Sequence, residues 1–375
     1  MALGSIRRVT PAELRRLVPA ATERTYLNTA TYGPASRPVV AAIQDFTDRW
    51  SRGVAEYLEW EAAAEDCRRL FAKLVDAAVE DVAIQPYVSA TAGAIAVQLR
   101  PGERVVVDDL EYTSNLWPWL YQRDRGVDVT VIPAREGRVD LEVWLEAIGE
   151  RVAITAVSAM QSSNGYRAPL ARLAAATHAA GGLLFVDACQ GAGGIRLNPV
   201  EDGFDFLAAD SYKWMMGPRG MGYLYLSKAA QERFRPVTMG WRSGRHPQES
   251  YYGVDMDLSP SASRFDSSLS WIAVVGDRES LGLLTTIGAG RIEAHNLALA
   301  ARFRAGLARL GQETDPFRPE EHSPIVAVHL PDGDAVVQRL KQAGVIASRR
   351  ATGVRFSFHV FNDESDVDRA LSALA

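Results

Sequence analysis

The chain reads as an α/β protein with a mostly parallel, doubly wound large domain and a small α+β domain at its C-terminal end. Three observations lead there. Between about residues 80 and 230, short β-branched apolar runs alternate with amphipathic stretches, the pattern of a parallel sheet with crossover helices. From 240 to 270 the composition shifts to Gly, Ser, Arg and aromatic residues, which reads as long loops of a functional or interfacial kind. Beyond it, a long helical stretch precedes a succession of strand, helix, two strands and helix.

The runs at 104–107, 127–132, 153–158, 183–187, 206–209 and 222–226 are expected as strands, because each is short and rich in β-branched or other apolar residues. Helices are expected at 143–150 and 170–180, where Ala and Leu recur at helical spacing. The C-terminal part predicts a helix over 287–310, a strand at 325–329, a helix at 334–342, strands at 344–348 and 354–359, and a last helix from about 365. The implied division is an N-terminal segment (1–20) packing with the small domain, a large domain (21–245), a loop and interface segment (246–280), and the small domain (281–375).

A net charge of −5 gives no reason to expect nucleic acid or an anionic membrane as partner. Two cysteines, Cys67 and Cys189, cannot form a disulfide framework and fit a reducing compartment. No apolar run is long enough for a transmembrane helix, and Arg7, Arg8, Glu13, Arg15 and Arg16 make the N-terminus too charged for a signal peptide. The six histidines show no metal-ligand spacing, so no metal is expected. A cytoplasmic enzyme is the expectation.

Asp187 ends the run Leu183-Leu184-Phe185-Val186, and Lys213 follows the next short strand in Asp210-Ser211-Tyr212-Lys213-Trp214. In a doubly wound sheet both fall at carboxyl strand ends, where ligands collect. A buried aspartate needs a cation or donor. An amine plus a carboxylate is what pyridoxal phosphate requires: a Schiff-base partner, and a group to keep the ring nitrogen protonated. Ser89, Ala90 and Thr91 precede an apolar helix-like stretch and suit either phosphate binding or plain capping. Ser211 and Tyr212 can also reach a phosphate. Tyr112 can stack on a ring or serve as a core or interface tyrosine. Gln190 can meet the cofactor phenolate or face solvent. Arg355, in an alternating strand, suits a carboxylate clamp or an edge-strand surface position. Cys189 reads as a small buried hydrophobe.

These segments resemble the class V aminotransferase and cysteine desulfurase family of fold-type I pyridoxal-phosphate enzymes. The markers are Tyr26-Leu27-Asn28-Thr29-Ala30, Glu111-Tyr112-Thr113-Ser114-Asn115, Val186-Asp187-Ala188-Cys189-Gln190, Ser211-Tyr212-Lys213-Trp214 with Gly217-Pro218-Arg219-Gly220, and Arg355-Phe356-Ser357 with Phe361-Asn362-Asp363. The resemblance implies Lys213 as Schiff-base lysine, Asp187 as ring-nitrogen partner, Gln190 as phenolate partner and Arg355 as carboxylate clamp. It also implies Ser162 as a further cofactor contact and Asn28 as a substrate contact. A homodimer with interfacial sites is implied too. Arg264-Phe265-Asp266-Ser267-Ser268 sits where relatives carry a stretch reaching the neighbouring subunit's phosphate; Ser268 is its candidate, although the usual Gly-Thr is missing.

Desulfurases carry a mobile cysteine before the carboxylate-binding arginine, whereas residues 348–353 here are Ser-Arg-Arg-Ala-Thr-Gly. Tyr112 and Tyr212 stand where desulfurases have histidines, and Ser162 where they have asparagine. The inner resemblance is to ergothioneine-pathway and lincosamide-pathway C–S lyases acting on cysteine S-conjugates. Expected is β-elimination by a pyridoxal-phosphate lyase, with Lys213 as the base at a lowered pKa. Transamination, epimerisation or decarboxylation, and a non-catalytic cofactor-binding sensor, are the alternatives.

Overall fold

A computed structural model describes residues 8–149, 151–350 and 353–375. Strand β1 (Thr25–Tyr26) lies near the start of the chain. Seven strands follow: β2 (Val82–Gln85), β3 (Arg104–Asp108), β4 (Asp128–Ile132), β5 (Val152–Ser158), β6 (Leu183–Asp187), β7 (Phe206–Asp210) and β8 (Gly222–Leu226). They form one sheet in the order β2-β8-β7-β6-β5-β3-β4, with β8 antiparallel to both neighbours and the other pairs parallel. All six expected strands are there, with ends shifted by one residue at most. β2, only four residues long, is an addition that sequence periodicity does not reveal.

The strands are buried on both faces, as the near-continuous apolar runs require. One buried cluster, including Phe71, Trp144 and Trp214, covers one face; another, including Trp119, Phe185 and Phe206, covers the other. The expected helices appear as Leu141–Ala147 and Leu170–Ala179. The expected end of the former, Glu150, lies outside the described residues.

In the small domain, β9 (Ile325–His329), β10 (Val345–Ile346), β11 (Ser348–Arg350) and β12 (Gly353–Ser357) follow the helix Ala289–Arg309. Three of these four, β9, β11 and β12, pair antiparallel in the order β11-β12-β9. β10 instead pairs parallel with β1. Helices Gly333–Gln342 and Glu364–Leu374 complete a core that includes Leu27, Phe303, Phe356 and Phe358. The N-terminal stretch is tied to this domain: Ser357 donates its N–H to Leu27 O at 2.9 Å, and Arg15 donates to Asp366 at 2.6 Å. Residues 1–7 of that stretch lie outside the described residues.

The segment expected as loop, 246–280, needs correction. Its last part belongs to a helix, Trp271–Ile287, which packs against helices Arg37–Ser51 and Tyr57–Leu74. Two glycines and the Asp277-Arg278-Glu279 run blur its pattern, yet Gly276 is there for fit: a Cβ would lie 2.7 Å from Pro218 Cγ. The helix stops at Gly288, whose φ of 92° lies in the left-handed region, so the next helix starts at Ala289 rather than two residues earlier.

Candidate active site

The parallel strands bring Asp108, Ser158, Asp187 and Asp210 to one end of the sheet. The chain then turns at Tyr212-Lys213 and passes Met216, a non-glycine residue at φ 58°. The segment around Gly33 runs directly against this turn. Gly33 donates its N–H to Tyr212 O at 2.8 Å, and a Cβ there would collide with Lys213 O. Only glycine lets the two backbones approach so closely.

Lys213 is 9% exposed, its Nζ 5.6 Å from the Tyr112 ring centroid and 5.5 Å from that of Tyr212. A cleft of about 510 Å³ opens over it, lined by Tyr112, Ser162, Gln190, Tyr212 and Arg355 among the expected residues. Burial lowers the amine's pKa, while the nearby Cys189, Tyr212, Asp187 and Asp210 raise it; the balance lies above an ordinary lysine. Acidic neighbours thus outweigh desolvation at this amine, whereas the expected lowering concerns the lysine freed beside a cationic ring.

Asp187 is 4% exposed and takes one hydrogen bond from the described residues, Cys189 N–H to Oδ1 at 2.8 Å. Burial first, and then the charge of Glu111, push its carboxyl up to about 7. Glu111 is the residue the sequence reading missed beneath the site. It accepts from Ser158 N–H and Ser158 Oγ, both at 2.6 Å, from Asn115 at 2.7 Å and from Gln161 at 2.8 Å. Burial raises its pKa even so.

Gln190 donates to Ala30 O at 3.0 Å and accepts from Trp214 Nε1 at 2.8 Å, so its amide is fixed in orientation. Arg355 is 2% exposed; it donates to Ser162 O and, at 2.7 Å, to Thr31 Oγ1, while its Nε is buried without a partner. Burial, then the charge of Arg350, bring its pKa down to about 9.

Other expected contacts lie elsewhere. Ser211 is buried with its hydroxyl donated to Asp277, facing the helix Trp271–Ile287 rather than the cleft. Thr91 Oγ1 donates to Tyr87 O, and Ser89 lines a separate hollow with Thr113 and Trp117. Ala90 is beside them at the N-terminal turn of helix Val88–Ala96, whose first N–H is already taken by Asp210 at 2.8 Å. Ser268 lines another hollow with Trp241 and Ser267. Asn28 is one step behind the cleft, accepting from Thr31 Oγ1 at 2.7 Å. Thr31, Arg219 and Arg350 line the cleft without having been singled out; the spacing of Thr31 from Asn28 was the available signal.

Cys67 and Cys189 are buried, and burial first of all holds both thiols well above the usual range. No group of His, Cys, Asp and Glu suited to a metal occurs among the described residues, and none of their helices is long and apolar enough to cross a membrane.

The model of the family described as aminotransferase class-V matches residues 25–370. The chain is 28% identical over 368 residues to the "Uncharacterized aminotransferase YcbU" of Bacillus subtilis (strain 168), covering 97% of each. It is 26% identical over 307 residues to a "Probable cysteine desulfurase" of Methanothermobacter thermautotrophicus, covering 80% of this chain and 76% of that protein. Among solved structures, the apo cysteine desulfurase of Thermococcus onnurineus NA1 superposes with a TM-score of 0.86 at 23% identity, over 98% of this chain and 97% of that one.

Proposed function

Because the chain belongs to the aminotransferase class-V family of pyridoxal-phosphate enzymes, we propose that it cleaves the C–S bond of a cysteine S-conjugate by β-elimination. Its residues fit the cofactor: Lys213 is a buried amine with no carboxylate paired to it among the described residues, and Asp187 is a buried carboxylate short of donors. The observation that carries the proposal is that Lys213 and Arg355 of the small domain line one cleft, with the buried carboxylate of Asp187 close enough to Lys213 for their charges to interact.

When bound, pyridoxal phosphate supplies a sink for the electron pair left as a bond to the substrate α-carbon breaks. Asp187 holds a proton at the ring nitrogen and so maintains that sink. Tyr112 covers the cleft with its ring, and Gln190 presents a fixed amide beside it. Arg355 fixes the α-carboxylate through a rigid fork. With the substrate amine in place, the Lys213 amine would be the group that takes the α-proton. The electron pair would then expel sulfur from the β-carbon, and the proton taken up by Lys213 would pass to that sulfur, so that a thiol leaves. Water converts the unsaturated amino acid that leaves into pyruvate and ammonia.

Relatives named cysteine desulfurase favour persulfide formation instead. Against that reading here, residues 348–353 contain no cysteine, and both thiols are buried and held protonated. Residues 351 and 352 of this segment lie outside the described residues. The aminotransferase name of the B. subtilis relative favours amino-group transfer as the second reading.

The deciding assay measures pyruvate and ammonia from cysteine S-conjugates with no keto acid added. Turnover only with a keto acid would replace elimination by transamination. Borohydride reduction and peptide mapping should place the cofactor on Lys213; an adduct on another lysine would overturn the site. The double change Cys67→Ala with Cys189→Ala should retain turnover, and its complete loss in a folded variant would restore the persulfide route.

A further inference from the structure

Arg350 and Arg355 occupy adjacent antiparallel strands, β11 and β12, with Ser348 opposite Arg355 and Arg350 opposite Gly353. Side chains two apart share a face, so the two guanidinium groups are diagonal neighbours on the same side of the ladder. They converge on a single hydroxyl: Thr31 Oγ1 accepts from Arg355 at 2.7 Å and from Arg350 at 3.0 Å, and gives its own proton to Asn28. Two cations meeting on one neutral oxygen repel each other unless an anion joins them.

No carboxylate pairs with either group among the described residues. Arg349, on the opposite face of the same strand, has Asp334 at 2.9 Å, and the buried Arg68 has Asp266 at 2.6 Å. Among the described residues Arg350 finds Thr31 and the carbonyl of Arg349. Arg355 keeps a buried Nε with no acceptor. The cleft lining carries Lys213, Arg219, Arg350 and Arg355 and no acidic side chain. The two arginines also differ in depth. Arg355 is 2% exposed, whereas Arg350 is only partly buried, nearer the mouth.

We propose that the substrate is an α-amino acid with a second carboxylate at the end of its side chain, Arg355 holding the α-carboxylate and Arg350 the distal one. This rests on the amino-acid reading above and narrows it to acidic S-conjugates. A single carboxylate satisfies one bidentate fork. The second fork, two positions along the neighbouring strand, is placed for an anion several bonds from the α-carbon, while the reacting end stays at the depth of Lys213.

The test compares S-carboxymethylcysteine with its neutral side-chain amide, S-carbamidomethylcysteine, on the holoenzyme, by calorimetry and by the visible band of the cofactor. The parent protein should bind the acid about 10- to 100-fold more tightly, as expected for one charge-assisted pair. Arg350→Gln should remove that preference by weakening the acid alone, leaving the amide within about twofold. Arg350→Lys should keep part of it, since a point charge without the fork still attracts an anion. Arg355→Gln should weaken both compounds alike. Equal weakening of both by Arg350→Gln would overturn the assignment and place Arg350 on the α-carboxylate. Loss of cofactor from Arg350→Gln, seen in the visible band before any amino acid is added, would overturn it too. If the parent protein bound neither compound, the amino-acid reading itself would fall.

Discussion

Asp187 combines deep burial, one protein donor and a buried acidic neighbour, Glu111, three of whose hydrogen bonds tie the end of β3 to that of β5. A carboxyl raised to about 7 stabilises the fold fully below its ordinary value, and that contribution is lost as pH rises through 7. Asp187→Asn should therefore stabilise the cofactor-free protein at pH 8 by about 2–4 kcal/mol in urea unfolding, by removing an ionised group whose burial the nearby Lys213 offsets only in part. The same change should depress turnover by orders of magnitude, and the stability gain should shrink once cofactor is bound. A destabilised cofactor-free variant at pH 8 would contradict the electrostatic account. At this scale the sequence was most legible for Asp187, Lys213, Gln190 and Arg355, since each sits in a short motif at a strand end or on a strand. Glu111 and Arg350 act through partners distant in sequence, which no local pattern encodes, while Thr31 has a local cue in its spacing from Asn28. The placement of Ser211 was not legible either: its hydroxyl donates to Asp277, 66 positions away.

Among the elements, the parallel strands were readable because burial on both faces leaves a continuous apolar run. The helix Trp271–Ile287 was not. It is embedded between two other helices and the lysine turn, so its apolar surface is spread around it and broken by Gly276, Asp277 and Gly282. Asp277 is the contact that matters for the site. It accepts from Ser211, two residues before Lys213, and from Tyr223 in β8. Burial raises its carboxyl to about 6. Asp277→Ala should leave two buried hydroxyls without an acceptor and destabilise the protein by about 2–4 kcal/mol. It should also speed cofactor release, because the turn bearing Lys213 loses its anchor. Asp277→Asn, which retains an acceptor oxygen, should fall between. A parent-like urea midpoint for the alanine variant would show that the contact contributes nothing.

On the scale of the whole molecule, the first and last parts of the chain form one unit. β1 pairs with β10, Asn28 bridges to Ser357, and Arg15 reaches Asp366 and the carbonyl of Phe361. Asp366 is fully buried and keeps only Asn362 and the N–H of Asp363 when Arg15 is removed. Arg15→Ala should cost about 1–3 kcal/mol, read as faster amide hydrogen exchange in the helix Glu364–Leu374 with little change in the seven-stranded sheet. Uniformly faster exchange across both would mean that the contact stabilises no particular domain. Ala30 and Ser357, joined by a hydrogen bond, are 327 positions apart, and this distance has a consequence during synthesis. At about 5–20 residues per second, the ribosome takes tens of seconds to deliver the second partner after the first. Throughout that time Leu27 lacks the core it enters, which is built from Phe303, Phe356 and Phe358. The nascent protein is therefore expected to leave Leu27 accessible to chaperones until β12 has emerged.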